Sequence, residues 1–453
     1  MSAPVIWWVG RDLRLTDNPA LVAAAASGPV LPLMVLDTPE DALGAAPAWR
    51  LGQAMRALAD NLAARGSRLI VRRGDAATVL AALMAQTGAQ AVHLNSPRPF
   101  FSAAAVRVAL GEALHIHPGN WLLAPGSVKT GAGGAYQKFT PFWRNLRGRD
   151  IAAPMPVPRI TAPAAWPASD DWQLGTAMRR GAAIVARETR AGQAAALARL
   201  AEFLDGPVQD YTDARNLPAH PGTSGLSDAL AVGEISARHI WHAATAARAE
   251  GAPGAETFLS ELAWRDFARD LYFHSPAMDR QAWRAEWDSF PWRDDNPDAG
   301  SWRRGLTGID IVDAGMREVY ATGRMHNRVR MIAASFLTKH LLTHWRIGLD
   351  WFADTLTDWD PASNAMNWQW VAGSGPDAAP YFRIFNPDTQ AAKFDPRGDY
   401  CRYWLSGPGD ARFRAAIPLS WDIPSARPAP VIGLAQGRAR ALAAYEAARQ
   451  VPG

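Results

Sequence analysis

At 453 residues the chain is too long for one simple core and predicts two domains, with 48% hydrophobic and 20% charged residues as in ordinary soluble globular proteins. A net charge of only +4 excludes nucleic-acid binding through a global basic excess and requires a local basic face instead. The single cysteine, Cys401, excludes an internal disulfide, and no uncharged apolar run is long enough to span a membrane.

The N-terminus, MSAPVIWWVGRDLRL, carries arginines where the apolar core of a signal peptide would continue. With the lone cysteine this predicts a soluble, cytoplasmic protein. In the first 125 or so residues, apolar runs at 5–9, 30–36, 68–71 and 91–94 read as buried strands. Alanine- and leucine-rich helical patterns fall between and after them at 18–26, 49–65, 76–86 and 102–114. Such alternation predicts a parallel α/β sheet covered on both faces. No G-x-G-x-x-G follows the first strand, and the glycines of KTGAGGAYQKF lack the lysine–hydroxyl ending of a phosphate loop. Five prolines between Pro154 and Pro167 bar helix and central strand and mark a linker. From about residue 181 the pattern is helical to the end, which predicts an all-α C-terminal region.

Four constellations lie in that region. Tyr211 is followed by GTSGLS, where Thr223, Ser224 and Ser227 place hydroxyls at a helix start. They suit either plain N-capping or an anion at the free N–H groups. In ELAWRDFARDLYFH, Glu261 shares a helical face with Trp264 and Arg265. In RMHNRVRMIAAS, Asn327, Arg330, Met331 and Ala334 recur at helical spacing, beside arginines that a solvated basic helix would also explain. The run DWDPASNAMNWQWVAGSGPDAAPYFRIFNP sets Asp358, Asp360 and Asn364 ahead of Trp368, Gln369 and Trp370. Carboxylates and amides among indoles suit the wall of a flat, hydrogen-bonding ligand, and also a polar connecting loop packed by aromatics. The 20 tryptophans, against 8 tyrosines, would serve packing or stepwise electron transfer. His326 and His340 read as structural, and no metal-site spacing involves them.

Together these motifs resemble the photolyase/cryptochrome family, and within it the class I cyclobutane-dimer photolyases. WWVGRDLRLTDN and YQKFTPFW are similar to the family's first strand and to the segment leaving its first domain. The resemblance implies a Rossmann-like α/β photolyase domain over 1–130, a proline-rich linker over 131–195 and a helical FAD-binding domain over 196–453. It implies that Tyr211, Thr223, Ser224, Gly225, Leu226 and Ser227 hold FAD together with Arg330, Asp358, Asp360 and Asn364, the last against the flavin N5. Glu261, Trp264, Asn327, Met331, Asn364 and Trp370 would act on a flipped-out pyrimidine dimer. Arg215, Arg265 and Arg328 would meet DNA alongside Trp264, Asn327 and Trp370, and Trp368, Trp345 and Trp292 would carry electrons from the surface.

The implied activity is light-driven repair of cyclobutane dimers in DNA by a monomer. The alternatives are a cryptochrome-type light sensor, a (6-4) photolyase and a repair-dead flavoprotein. GRMHNR is of the dimer type rather than the (6-4) type, and Asn364 stands where plant-type sensors carry an acid. Three positions depart from the family: Gly10 and Gly225 replace residues often basic there, and Arg324 replaces a tryptophan found in some members. LNSPRPFFSAA, residues 94–104, departs from the family's Tyr-Glu-Pro-type stretch, which leaves methenyltetrahydrofolate, a deazaflavin or no antenna open.

Overall fold

A computed structural model describes residues 3–36, 43–96, 103–377 and 383–450. Strands β1 (Val5–Trp8), β2 (Val30–Leu36), β3 (Ile70–Arg73), β4 (Val92–Asn95) and β5 (Leu114–His117) form one parallel sheet in the order β3-β2-β1-β4-β5. Val5 aligns with Val30, Ile6 with Val92 and Leu33 with Ile70. β1 and β2 are apolar without alternation because both faces are covered. Val5 and Trp7 pack against α1 (Pro19–Ser27) and α2 (Ala45–Ala63). Ile6 and Trp8 pack against α3 (Ala76–Thr87) and α4 (Ala103–Leu110).

The sequence patterns miss β5, and the cause is local. The helix expected over 102–114 stops at Leu110, because Gly111 adopts φ +53 and a short 3-10 turn follows. Leu114–His117 is then free to pair with β4, yet LHIH alternates too briefly to announce a strand. The proline-rich stretch has no regular structure but is no loose tether. Thr161 accepts a hydrogen bond from the Val30 amide at 2.9 Å, and Asp170 donates to the Val71 carbonyl at 2.9 Å. Within the expected linker, the helix Phe139–Leu146 buries Phe139, Phe142 and Leu146 in the core of the helical region.

That larger core is built from α5 (Ala255–His274), α6 (Asn327–Ser335), α7 (Trp345–Thr355), α8 (Pro361–Ala372) and their neighbours. Asp360 caps α8 by accepting from the Ser363 amide, with Pro361 in the first turn. α7 approaches α8 closely at Gly348, where any Cβ would fall 2.0 Å from the Trp368 ring. Buried ion pairs join the two regions. Arg50 of α2 pairs with Glu234 and Asp228, and Asp17 pairs with Arg238 at 2.6 Å. Among the described residues no helix is long and apolar enough to cross a membrane.

Candidate active site

A cavity of about 690 Å³ opens in the helical region. Its wall includes Tyr211, Arg215, Ser224, Leu226 and Ser227 from the first constellation, and Glu261, Trp264 and Arg265 from α5. Asn327, Arg328, Arg330 and Met331 from α6 join Asp358, Asp360 and Trp370 from the α8 segment. A smaller adjoining cavity of about 90 Å³ shares Arg330, Asp358 and Asp360, and adds Asn364 and Trp368. Thr223 and Gly225 lie beside this wall without lining it, and Thr223 is exposed. Trp292 and Trp345 stand outside both cavities.

The polar groups are held in place by named partners. Arg330 Nη2 donates to Asp358 Oδ2 at 2.8 Å, while Asp358 Oδ1 is buried with no partner among the described residues. Arg269 donates to Asp360 Oδ2 at 2.9 Å, so the carboxylate that caps α8 is also neutralised. Arg215 pairs with Glu261 Oε2 at 2.6 Å. Even so, burial raises the Glu261 pKa above the ordinary glutamate range, against the pull of Arg215. Arg328 donates to Asn216 Oδ1 at 2.6 Å, with its guanidinium carbon 4.4 Å from the Phe394 ring centroid. Asn364 Nδ2 donates to the Leu349 carbonyl at 3.0 Å.

The indoles divide by face. Trp264 stacks on Phe139 with centroids 3.7 Å apart, and Trp370 Nε1 donates to the Asp377 carbonyl at 3.1 Å. Gln369, between Trp368 and Trp370, points away from the cavity: its amide nitrogen donates to the Met278 carbonyl and its oxygen accepts from the Trp283 amide. Trp368 and Trp345 are buried and Trp292 is half-buried. The His344 ring lies 5.8 Å from Trp292 and 5.5 Å from Trp345.

Arg265 is half-buried in the cavity wall, where it donates to the Asn120 carbonyl at 3.0 Å and to Asp266 at 3.4 Å. Burial and the neighbouring Arg269 push its pKa down to about 9. A helix does start at GTSGLS, running from Ser227 to Val232, so its dipole is short. Cavity residues the motifs did not single out include Arg269, Ser363 and Arg383. Arg269 was within reach of the sequence, since Glu261, Arg265 and Arg269 follow at four-residue steps along α5. Tyr381 and Phe382 of YFRIFNP, and residues 97–102 of the antenna stretch, lie outside the described residues.

Residues 5–159 match the family model described as DNA photolyase, and residues 258–447 match the FAD-binding domain of DNA photolyase. The deoxyribodipyrimidine photo-lyase of Agrobacterium fabrum is 42% identical, over 99% of each chain. The chain belongs to the DNA photolyase family.

A bacterial class III photolyase from Agrobacterium tumefaciens superposes with TM-score 0.91 at 41% identity, covering 100% of this chain and 98% of the other. A Synechocystis cryptochrome follows at TM-score 0.82 and 26% identity, over 100% and 99% of the two chains. This photolyase-family chain is therefore a lyase with the family's FAD-binding domain. Its cavity fits FAD chemically. Asp358 Oδ1 awaits a donor, and among the described residues the amides and hydroxyls of 224–227 donate to no protein acceptor. The volume lies in the roughly 300–1,000 Å³ range of ligand sites. The GTSGLS loop falls between the two matched segments of the photolyase family.

Proposed function

We propose that this photolyase-family lyase repairs cyclobutane pyrimidine dimers in DNA, with FAD in the larger cavity. The observation that carries the reading is one cavity holding two indoles, Trp264 and Trp370, together with Glu261, Asn327, Met331 and the Arg330–Asp358 pair. Bound, reduced and excited by blue light, FAD supplies an electron that opens the cyclobutane ring and is returned when the ring has split. The protein's part is orientation and electrostatics. Ser224 and Ser227, with Tyr211, Leu226 and the neighbouring amides, hold the dinucleotide. Asp358 Oδ1 accepts from it, and Arg330 holds the other carboxylate oxygen. Asn364, fixed by Leu349, sets the amide environment of the ring.

The reacting bonds are unreachable in stacked DNA, so the dimer must be flipped into the cavity, and a poorly stacked dimer costs less to extrude than a normal pair. Trp264 and Trp370 give it flat apolar walls, with Met331 packing beside them. Arg215 holds one oxygen of Glu261 and leaves Oε1 without a protein partner among the described residues, available to a base. Arg215 and Arg328 flank this entrance and meet phosphate. Trp368, Trp345 and Trp292 grade from cavity wall to half-exposed surface, the order an electron relay requires.

The proposal is at the level of dimer repair; the class I branch suggested by the motifs stands beside a class III structural neighbour. A blue-light assay on oligonucleotides bearing either a cyclobutane dimer or a (6-4) product tests it. Light-dependent loss of the cyclobutane dimer is expected. Flavin photochemistry without repair of either lesion would instead favour a light sensor, the reading the cryptochrome neighbour offers.

A further inference from the structure

The loop that faces the dinucleotide is short of positive charge. Gly225 stands where the resemblance leads one to look for a basic side chain, and the helix that follows has only six residues. A diphosphate bridge carries two negative charges, and hydroxyls and amides alone offset them poorly.

A cationic group from elsewhere in the chain lies against this loop. A Cβ on Gly225 would lie 2.7 Å from Nη1 of Arg199 and 3.5 Å from its Cζ. The guanidinium thus fills the space in which a side chain at 225 would begin. Arg199 belongs to the helix Gln193–Asp205, one turn before Phe203 and on the same face. Phe203 packs 5.3 Å from Tyr211 and 4.6 Å from Phe258, both in the cavity wall. Among the described residues the Arg199 side chain makes no hydrogen bond or ion pair, whereas Arg215, Arg269 and Arg330 in the cavity wall each have a carboxylate partner. Gly225 has φ +58 and Leu226 is right-handed at φ −90, ψ −3. That left–right succession turns consecutive N–H groups toward one anion.

We infer that Arg199 is the counter-charge for the FAD diphosphate, supplied across space in place of a basic residue at 225. Two complementary roles follow. Gly225 must stay small, since any side chain there displaces the guanidinium. Arg199 must stay cationic, since the loop has no other charge. A guanidinium also suits phosphate better than an ammonium, because it can donate two parallel bonds. The inference rests on the reading that residues 223–227 face the diphosphate.

The test is the FAD dissociation constant, measured by recovery of flavin fluorescence at several KCl concentrations. The variants are Arg199→Gln, Arg199→Lys, Ser224→Ala/Ser227→Ala and Arg199→Ala/Gly225→Arg, with thermal unfolding as the folding control. Loss of a charged hydrogen bond should weaken FAD by roughly ten- to hundredfold in Arg199→Gln. The same change should flatten the salt dependence, Arg199→Lys should recover part of both, and the charge-relocated double variant should bind better than Arg199→Gln. A merely structural arginine would leave the salt slope unmoved. If Arg199→Gln binds like wild type while the serine variant is weakened, the loop reading stands and Arg199 is ruled out. If neither variant weakens FAD, the loop reading falls and takes this inference with it. Should Arg199→Gln fail to fold, Arg199→Met, which keeps the apolar stem and removes the charge, takes its place, and a wild-type affinity and salt slope there would be the overturning result.

Discussion

Arg330 grips one oxygen of Asp358 at 2.8 Å and leaves the other buried without a partner among the described residues. An orphan acceptor in a ligand cavity is stable only when a ligand donor completes it. Asp358→Asn removes the charge that Arg330 neutralises and gives the site a donor where it needs an acceptor. Breaking a pair of this kind costs up to about 3–5 kcal/mol when both groups are fully buried; Arg330 is partly exposed, so an affinity loss of roughly tenfold is expected. The flavin-to-protein absorbance ratio after gel filtration is the measurement, and a wild-type ratio would remove Asp358 from the FAD site.

Trp368 is 2% exposed and borders the smaller cavity. Trp368→Phe keeps an apolar ring but raises the cost of oxidation. Photoreduction of oxidised flavin should slow by roughly tenfold or more, while repair by chemically reduced enzyme persists. Equal photoreduction rates in mutant and wild type would exclude Trp368 from the relay.

The arginines should separate in a salt titration of binding to dimer-containing DNA. Arg215→Ala and Arg328→Ala should each reduce the slope of log K against log salt by about one. Arg265→Ala should leave the slope unchanged, because its guanidinium is buried against Asn120 and Asp266. A reduced slope in Arg265→Ala would put that arginine back on the DNA face.

Asn364 spends one N–H on the Leu349 carbonyl, 3.0 Å away. In Asn364→Asp that donor becomes an oxygen facing an oxygen, beside an anionic reduced flavin. Repulsion from both should raise the new carboxyl's pKa, so that it takes up a proton, or should disfavour the anionic ring. Spectra recorded during photoreduction at several pH values should show fully reduced flavin accumulating less in the variant. Wild-type accumulation and repair at every pH would mean that Asn364 is not the ring's partner.

In the N-terminal sheet, His93 Nδ1 meets His117 Nε2 at 3.0 Å, with the His115 ring stacked 4.8 Å from His93. Burial, then His117 and His115, pushes the His93 pKa down to about 4. The unfolded chain protonates this imidazole near 6.5, so between about pH 6.5 and 4 it binds more protons than the folded chain. Stability is therefore fully present above 6.5 and is lost as pH falls through that window. Melting temperatures from pH 7.5 to 4.5 should fall less steeply in His93→Gln; parallel curves would show that this cluster does not govern the acid limb.

Much of this was legible along the chain. Unbroken apolar runs mark strands buried on both faces, and helical spacing puts Asn327, Arg330 and Met331 on one face of α6, because both patterns are consequences of backbone geometry alone. The spacing of Glu261, Trp264 and Arg265 predicts a shared face in the same way, and all three do line the cavity.

Local spacing cannot say what a face meets. Spacing along α5 does not show that Arg265, which the resemblance groups with the DNA-facing arginines, bonds to Asp266 and to the carbonyl of Asn120, 145 residues away in sequence. Local spacing left β5 unseen, because four residues pair only once β4 is already in place. Gly225 reads as a missing charge in one dimension, while in three the Arg199 guanidinium lies against it. Residue identity and period are set by the sequence alone. Partnership between distant side chains is decided only when the folded core brings them within bonding distance and strips away the water that would otherwise serve each of them.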